Sequence, residues 1–232
     1  MASTKKLVKF NSSFNHLLWF FLLFFTYAAA QGIALDAPEF VTIGIFAQTV
    51  GLFPVLALAL YFTRQLFIED WQKTKKNILL TIGLIVAGVM AIFFLSGIVG
   101  VIYEKLGIEG TSENQESLEV MLASKYGLVM IISIVIFAPI LEELIFRKFL
   151  FGIAEEKFKW PGWAAILISS LVFSLVHLTS GDFEYILLYL PQALVMGVLY
   201  HYSKNNIFVS IGIHFLNNLI AVIGIFVLGG IG

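Results

Sequence analysis

The 232-residue sequence contains no cysteine. A disulfide framework, a thiolate zinc site and a cysteine nucleophile are therefore excluded. Charge is also scarce, because 12% of the residues are charged whereas soluble domains carry about 25%. The net charge of −1 gives no indication of a nucleic-acid partner, and none is expected. Hydrophobic residues make up 59% of the chain, which is typical of a protein surrounded by a lipid bilayer.

Long apolar stretches cover most of the chain. A membrane-spanning helix needs about 20 mostly apolar residues, and seven stretches come close to or exceed that length: 15–34, 40–62, 78–103, 126–151, 162–178, 184–202 and 206–230. The pattern predicts an all-α, polytopic membrane helix bundle of about seven transmembrane helices, with eight as the alternative count. Since no repeat or soluble domain is evident, residues 1–232 are predicted to form one integral membrane domain.

The basic residues are distributed unequally between the linkers. Of the 14 lysines and arginines, 12 fall at the N-terminus and in alternate linkers, whereas the other side has Lys105 and Lys125 in an acidic loop. Because cytoplasmic loops of membrane proteins carry an excess of basic residues, we predict a multi-pass cell-membrane protein with its N-terminus cytoplasmic and its C-terminus outside.

The first apolar stretch has two interpretations. It is either an uncleaved first span or a signal peptide, since a basic start and an apolar run precede the cleavage-like sequence Ala28-Ala29-Ala30. Either interpretation leaves the orientation of the remaining spans unchanged.

The fourth stretch contains two adjacent carboxylates and an arginine, Glu142, Glu143 and Arg147. Glu143 and Arg147 are four residues apart on a helix and can pair. Glu142 is rotated by about 100° from that face, so it is available as a general base. The alternative is that all three lie at the cytoplasmic helix end and extend to water, as neighbouring Lys148 suggests.

The later stretches add further polar residues with helical spacing. Phe173 and His177 share one helix face, and so do His214 and Asn218. Each set could simply hydrogen-bond between packed helices. However, Glu142 and His177 are equidistant from the polar turn at residues 157–161, so an antiparallel hairpin places them level, each roughly 26 Å from its tip. We therefore predict one shared site in the C-terminal helices. Its depth in the membrane stays open, because the distance by which the hairpin tip projects into the cytoplasm is unknown.

These motifs, Glu142-Glu143-x-x-x-Arg147, Phe173-x-x-x-His177 and His214-x-x-x-Asn218, resemble those of the CAAX protease and bacteriocin-processing family, the Abi membrane proteases. The resemblance covers about residues 125–230 and includes every motif position.

The resemblance implies an intramembrane glutamate protease. It assigns Glu142 as the general base, His177 as its partner, and His214 and Asn218 as donors to the oxyanion, which fits the needs of peptide hydrolysis. Glu143, Arg147 and Phe173 are then supporting residues. No cofactor is expected and a metal-free mechanism is favoured, although two histidines and two glutamates could ligate zinc.

Three functions remain open from the sequence. The first is an endopeptidase cutting a peptide or membrane-protein substrate near the cytoplasmic face, for bacteriocin or peptide maturation or for self-immunity. The second is a non-catalytic immunity protein or scaffold that modulates a partner. The third is a proton-coupled transporter, which the lack of an inverted repeat disfavours.

Overall fold

The computed structural model of the chain describes residues 21–26, 41–124, 126–178 and 181–228. The described residues form helices connected by short turns and contain no strand, which confirms the predicted all-α membrane bundle. Most of the predicted first span, with its cleavage-like sequence, lies outside the described residues. Residues 21–26 of that stretch are helical.

Seven helical segments follow, which we number in chain order. They are α1 (Val41–Lys76), α2 (Ile78–Leu106), α3 (Glu113–Ala123), α4 (Gly127–Lys157), α5 (Gly162–Val176), α6 (Ile186–Tyr202), preceded by a 3₁₀ turn at Phe183–Tyr185, and α7 (Ile207–Leu228). Within the described part of the chain, five helical stretches are long and apolar enough to cross a membrane, and α5 is a shorter apolar helix. The chain is therefore a multi-pass membrane protein.

Helix α3 replaces what the sequence suggested was an acidic loop. Ser112 precedes the helix in an extended conformation, and its side chain accepts a hydrogen bond from the Gln115 amide. A serine cap of this kind satisfies a backbone donor that the first turn leaves unpaired. Glu113 and Glu116 lie in the first turn, where the helix dipole favours negative charge.

Helix α4 is not a regular α-helix. Wider π-helical turns occupy Ser133–Phe137, Leu144–Phe151 and Ile153–Lys157. Pro139 follows the first of them, and proline removes one backbone donor from a helix. Single-turn π-helical segments are often found at functional sites, and here two of the π-helical stretches flank the segment that carries Glu142 and Glu143.

Glycines allow the helices around α4 to approach one another closely. A side chain at Gly88 of α2 would lie 2.5 Å from Ile213 of α7, and one at Gly212 of α7 would lie 2.5 Å from Ile85 of α2. Small residues at such crossings let backbones pack tightly in a membrane, where helix association depends on van der Waals contact. The crossing sets the position of α7 and hence of His214.

An ion-pair network around the buried Asp70 fixes the lysine-rich end of the bundle. Asp70 of α1 lies 2.5 Å from Lys148 of α4 and 2.7 Å from Lys73. Its carboxylate also accepts a hydrogen bond from the Ile207 amide at the start of α7, at 2.8 Å. Lys148 is 8% exposed, so it does not extend to water in the way that the cytoplasmic-end interpretation required.

Candidate active site

Glu142 lies at the midpoint of helix α4. It is fifteen residues from either end of the 31-residue stretch Gly127–Lys157, so roughly 22 Å of helix extends on each side. Its exposure is 3%, and both Glu143 and Arg147 have 0%. All three are thus buried in the bundle, and the alternative of charges extending to water at a helix end is wrong.

Glu142 faces two histidines contributed by different helices. Its Oε2 is 3.8 Å from Nε2 of His177 and 3.7 Å from Nε2 of His214. These distances exceed those of direct hydrogen bonds. They are suited to a small polar molecule such as water that contacts the carboxylate and a ring nitrogen together.

His177 directly follows the last residue of α5. Its Nδ1 lies 2.8 Å from the carbonyl oxygen of Phe173. Because a carbonyl only accepts, this contact assigns the proton to Nδ1 and leaves Nε2 facing Glu142. The imidazole packs against Phe173 on one side, with centroids 4.6 Å apart, and against Tyr189 of α6, with centroids 4.9 Å apart.

Tyr189 is a residue of this site that the sequence did not indicate. Besides stacking on His177, its hydroxyl lies 2.5 Å from Ser112 Oγ and accepts a hydrogen bond from Asn114 at 3.2 Å. Tyr189 therefore connects the His177 ring to the start of α3. Nothing in the sequence distinguishes it from the other tyrosines of a chain that has eight.

Glu143 has a different neighbour for each of its carboxylate oxygens. Oε2 is 3.3 Å from Arg147 Nε, the pairing expected from their spacing. Oε1 is 3.0 Å from His214 Nδ1. The arginine also donates to the Ala193 carbonyl at 3.2 Å and lies over the Phe173 ring. Glu143 consequently orients His214 as well as pairing with Arg147, a second role that helical spacing within α4 does not reveal.

Asn218 packs against α4. Its side-chain amide donates to the backbone carbonyl of Ile134 at 2.9 Å. The preceding Asn217 donates to Gln192 of α6 at 3.0 Å. The two asparagines thus join α7 to two different helices, and Asn218 lies on the same face of α7 as His214.

The residues around Glu142 do not form a ready metal site. Among the residues that the structure describes, no group of three or more His, Asp or Glu side chains is arranged to hold a metal ion. The site does contain a buried carboxylate and two imidazole nitrogens near it. The ion pair of Glu143 and Arg147 contacts one of these rings, that of His214.

Comparisons with known proteins match the part of the chain that carries these residues. Residues 124–220 match the family model described as Type II CAAX prenyl endopeptidase Rce1-like. The resemblance stated from the motifs is thereby confirmed. No solved structure matches the chain.

Three curated bacterial relatives are similar to the chain. "Putative membrane peptidase YdiL" of Bacillus subtilis is 37% identical over 64% of this chain and 58% of its own length. "Membrane-embedded CAAX protease MroQ" of Staphylococcus aureus is 34% identical over 50% of this chain and 47% of its own. "UPF0177 protein YajF" of Lactococcus lactis is 29% identical over 66% of this chain and 71% of its own. The chain thus spans about half to seven tenths of the length of these relatives.

Proposed function

Because residues 124–220 match the Rce1-like CAAX prenyl endopeptidase family, we propose that the protein is an intramembrane endopeptidase in which Glu142 activates water. The observation that carries the proposal is the position of the Glu142 carboxylate. It is buried at the middle of α4, with Nε2 of both His177 and His214 within 3.8 Å. A general base must lie within reach of the proton that it removes, directly or through one water.

In the proposed reaction, Glu142 takes a proton from a water held between its carboxylate and His177. The resulting hydroxide attacks the peptide carbonyl, and the proton passes to the departing amine. The carbonyl oxygen becomes an oxyanion, which preorganised donors stabilise. His214 and Asn218 are the proposed donors. Nδ1 of His214 is directed to Glu143, so Nε2 is the ring nitrogen proposed to donate to the oxyanion. No metal takes part in this scheme.

We further propose a peptide or membrane-anchored protein as substrate, with bacteriocin or peptide maturation or self-immunity as the biological role.

We also propose the membrane orientation predicted from the basic residues, with the N-terminus cytoplasmic. It is supported by the clustering of lysines at one end of the bundle, where Lys73 donates to the Lys204 carbonyl and Lys148 pairs with Asp70. The opposite end has acidic residues, and there Tyr103 donates to the Glu184 carbonyl and Asp182 accepts from the Glu113 amide.

Mass spectrometry of membrane-associated peptides tests the function directly. Cells with the wild-type protein are compared with cells that carry Glu142→Ala at the same expression level. We expect at least one peptide to lose its processed form in the variant and to accumulate as a precursor. Identical peptide profiles, together with full biological function of the variant, would favour the scaffold or immunity role. Proton-coupled uptake by the protein in liposomes would favour a transporter.

The stack of Tyr189 on His177 predicts a graded effect on cleavage. Tyr189→Leu removes the ring that supports His177, and a misplaced reacting group can lower a rate substantially, so we expect kcat to fall about 10-fold. Tyr189→Phe keeps the ring but loses the hydroxyl contacts with Ser112 and Asn114, so a smaller decrease is expected.

Tyr202→Leu is the matched control, since Tyr202 is 77% exposed at the end of the same helix. Peptide-cleavage kinetics of the purified variants provide the measurement. Equal rates for Tyr189→Leu and Tyr202→Leu would show that the stack does not position His177.

A further inference from the structure

Pro139 of α4 directly follows Ala138, whose amide closes the first π-helical turn. In the π-helical turn Ser133–Phe137, the Ala138 amide donates to the Ser133 carbonyl, five residues earlier. In the same register the next bond would run from residue 139 to the Ile134 carbonyl. Residue 139 is a proline and has no amide hydrogen. Continuation of the π-helical register therefore leaves Ile134 oxygen without its backbone donor.

A side chain from α7 takes the place of that donor. Asn218 Nδ2 lies 2.9 Å from Ile134 oxygen. The contact is partly buried. A carbonyl shielded from water is costly to leave without a partner, so this contact satisfies a need that the proline creates. The contact also sets which way the Asn218 amide faces. A carbonyl can only accept, so the NH₂ group must point to Ile134 and Oδ1 must be turned away from it.

We infer that Pro139 is a positioning residue that acts through the Ile134 carbonyl to fix the orientation of the Asn218 amide. One hydrogen of the NH₂ group is used on Ile134, and the second remains for the oxyanion. Without this acceptor, the amide can rotate by half a turn and present Oδ1, which repels negative charge. The kinetic consequence rests on the proposed function, whereas the hydrogen-bond geometry does not depend on it.

The first test measures the Asn218 amide without measuring activity. Protein labelled on asparagine with the heavy nitrogen isotope is studied by NMR in detergent micelles, and the Asn218 side-chain resonances are identified by their loss in Asn218→Ala. Pro139→Ala supplies an amide hydrogen that competes for Ile134 oxygen, so we expect the Asn218 resonances to shift or broaden. Pro54→Ala is the matched control, because Pro54 is also inside a helix, α1, and its ring is exposed. It should leave the Asn218 resonances unchanged.

Unchanged Asn218 resonances in Pro139→Ala would overturn the inference. Pro139→Ser also carries an amide hydrogen, and it takes the place of the alanine variant if that variant fails to accumulate.

The second test is a double-mutant cycle on peptide cleavage. Removing one oxyanion donor costs about 10²–10³ in kcat, which is the loss expected for Asn218→Ala. We expect Pro139→Ala to lower kcat about 10-fold, because the donor is retained but is misoriented part of the time, with KM little changed. In the Asn218→Ala background, Pro139→Ala should have no further effect on kcat.

If the two substitutions lower kcat by independent factors, so that the double variant shows their product, the coupling is refuted. A proline that acts only on helix stability would give that result. If the resonances shift but neither Asn218→Ala nor Pro139→Ala alters cleavage, the positioning inference holds for the amide and the proposed oxyanion role of Asn218 fails. The two failures are therefore distinguishable.

Discussion

Glu142→Gln is expected to abolish detectable peptide cleavage while the protein remains folded. Glutamine has nearly the same shape as glutamate but cannot accept a proton from water at neutral pH. General acid–base catalysis contributes about 10²–10⁴ to a rate, and a decrease of that size in kcat is expected. The measurement is the cleavage rate of a peptide substrate by the purified variant in detergent, with the thermal unfolding midpoint recorded in the same preparation.

Glu155→Gln is the appropriate control for that experiment. Glu155 is on the same helix, near the lysine-rich end, where it accepts a hydrogen bond from Asn205 and lies 3.4 Å from His201. Its replacement should leave kcat within a small factor of wild type. A folded Glu142→Gln variant with full activity would eliminate Glu142 as the base and with it the proposed mechanism.

Arg147→Met is expected to destabilise the folded protein far more than the loss of an exposed ion pair would. Arg147 and Glu143 are both fully buried and form an ion pair. Removing one partner leaves an uncompensated buried charge, which typically costs about 3–5 kcal/mol. For a chain of this size, that corresponds to a decrease on the order of 10 °C in the unfolding midpoint.

Two further variants separate the charge effect from a loss of packing. In Glu143→Met/Arg147→Met no buried charge is left alone, so most of the lost stability should return. Activity should not return, because His214 loses the carboxylate that orients its Nδ1. Lys73→Met is the exposed-pair comparison, since the side chain of Lys73 is 42% exposed in its pair with Asp70. Such pairs are worth about 0–1 kcal/mol, so its unfolding midpoint should fall much less than that of Arg147→Met. A midpoint for the double variant no higher than that for Arg147→Met would contradict the explanation based on charge.

The proposed site could be assembled from the sequence to a considerable extent, because polar residues are rare in apolar helices. Glu142 and His177 are equidistant from a turn, and the structure places their side chains 3.8 Å apart. The spacing of Glu143 and Arg147 indicated a pair, and the two side chains do form one. Helical periodicity and hairpin symmetry depend only on residue numbers, so both could be evaluated before any tertiary contact was known.

Other contacts depend on how separate helices are rotated and how far they extend. Helix α5 ends at residue 176, although the apolar stretch suggested residue 178. Asn218 of α7 donates to the Ile134 carbonyl, which lies in a π-helical turn of α4. Tyr189 stacks on His177 only because α5 and α6 pack closely, with Gly197 of α6 against Ser170 of α5. Such contacts link residues with no common periodicity, so no spacing rule identifies them.

From the amino-acid sequence alone it follows that the protein resides in a membrane, that its chain crosses the bilayer several times, and which few polar residues are placed in apolar helices. Those conclusions follow from local hydrophobicity and residue spacing. The packed helices were needed to establish that the polar residues are buried at the middle of α4 rather than extended to water, and that Glu143 binds both Arg147 and His214. Burial and pairing depend on which helices pack together and in what rotation, and side chains distant in sequence determine that packing jointly.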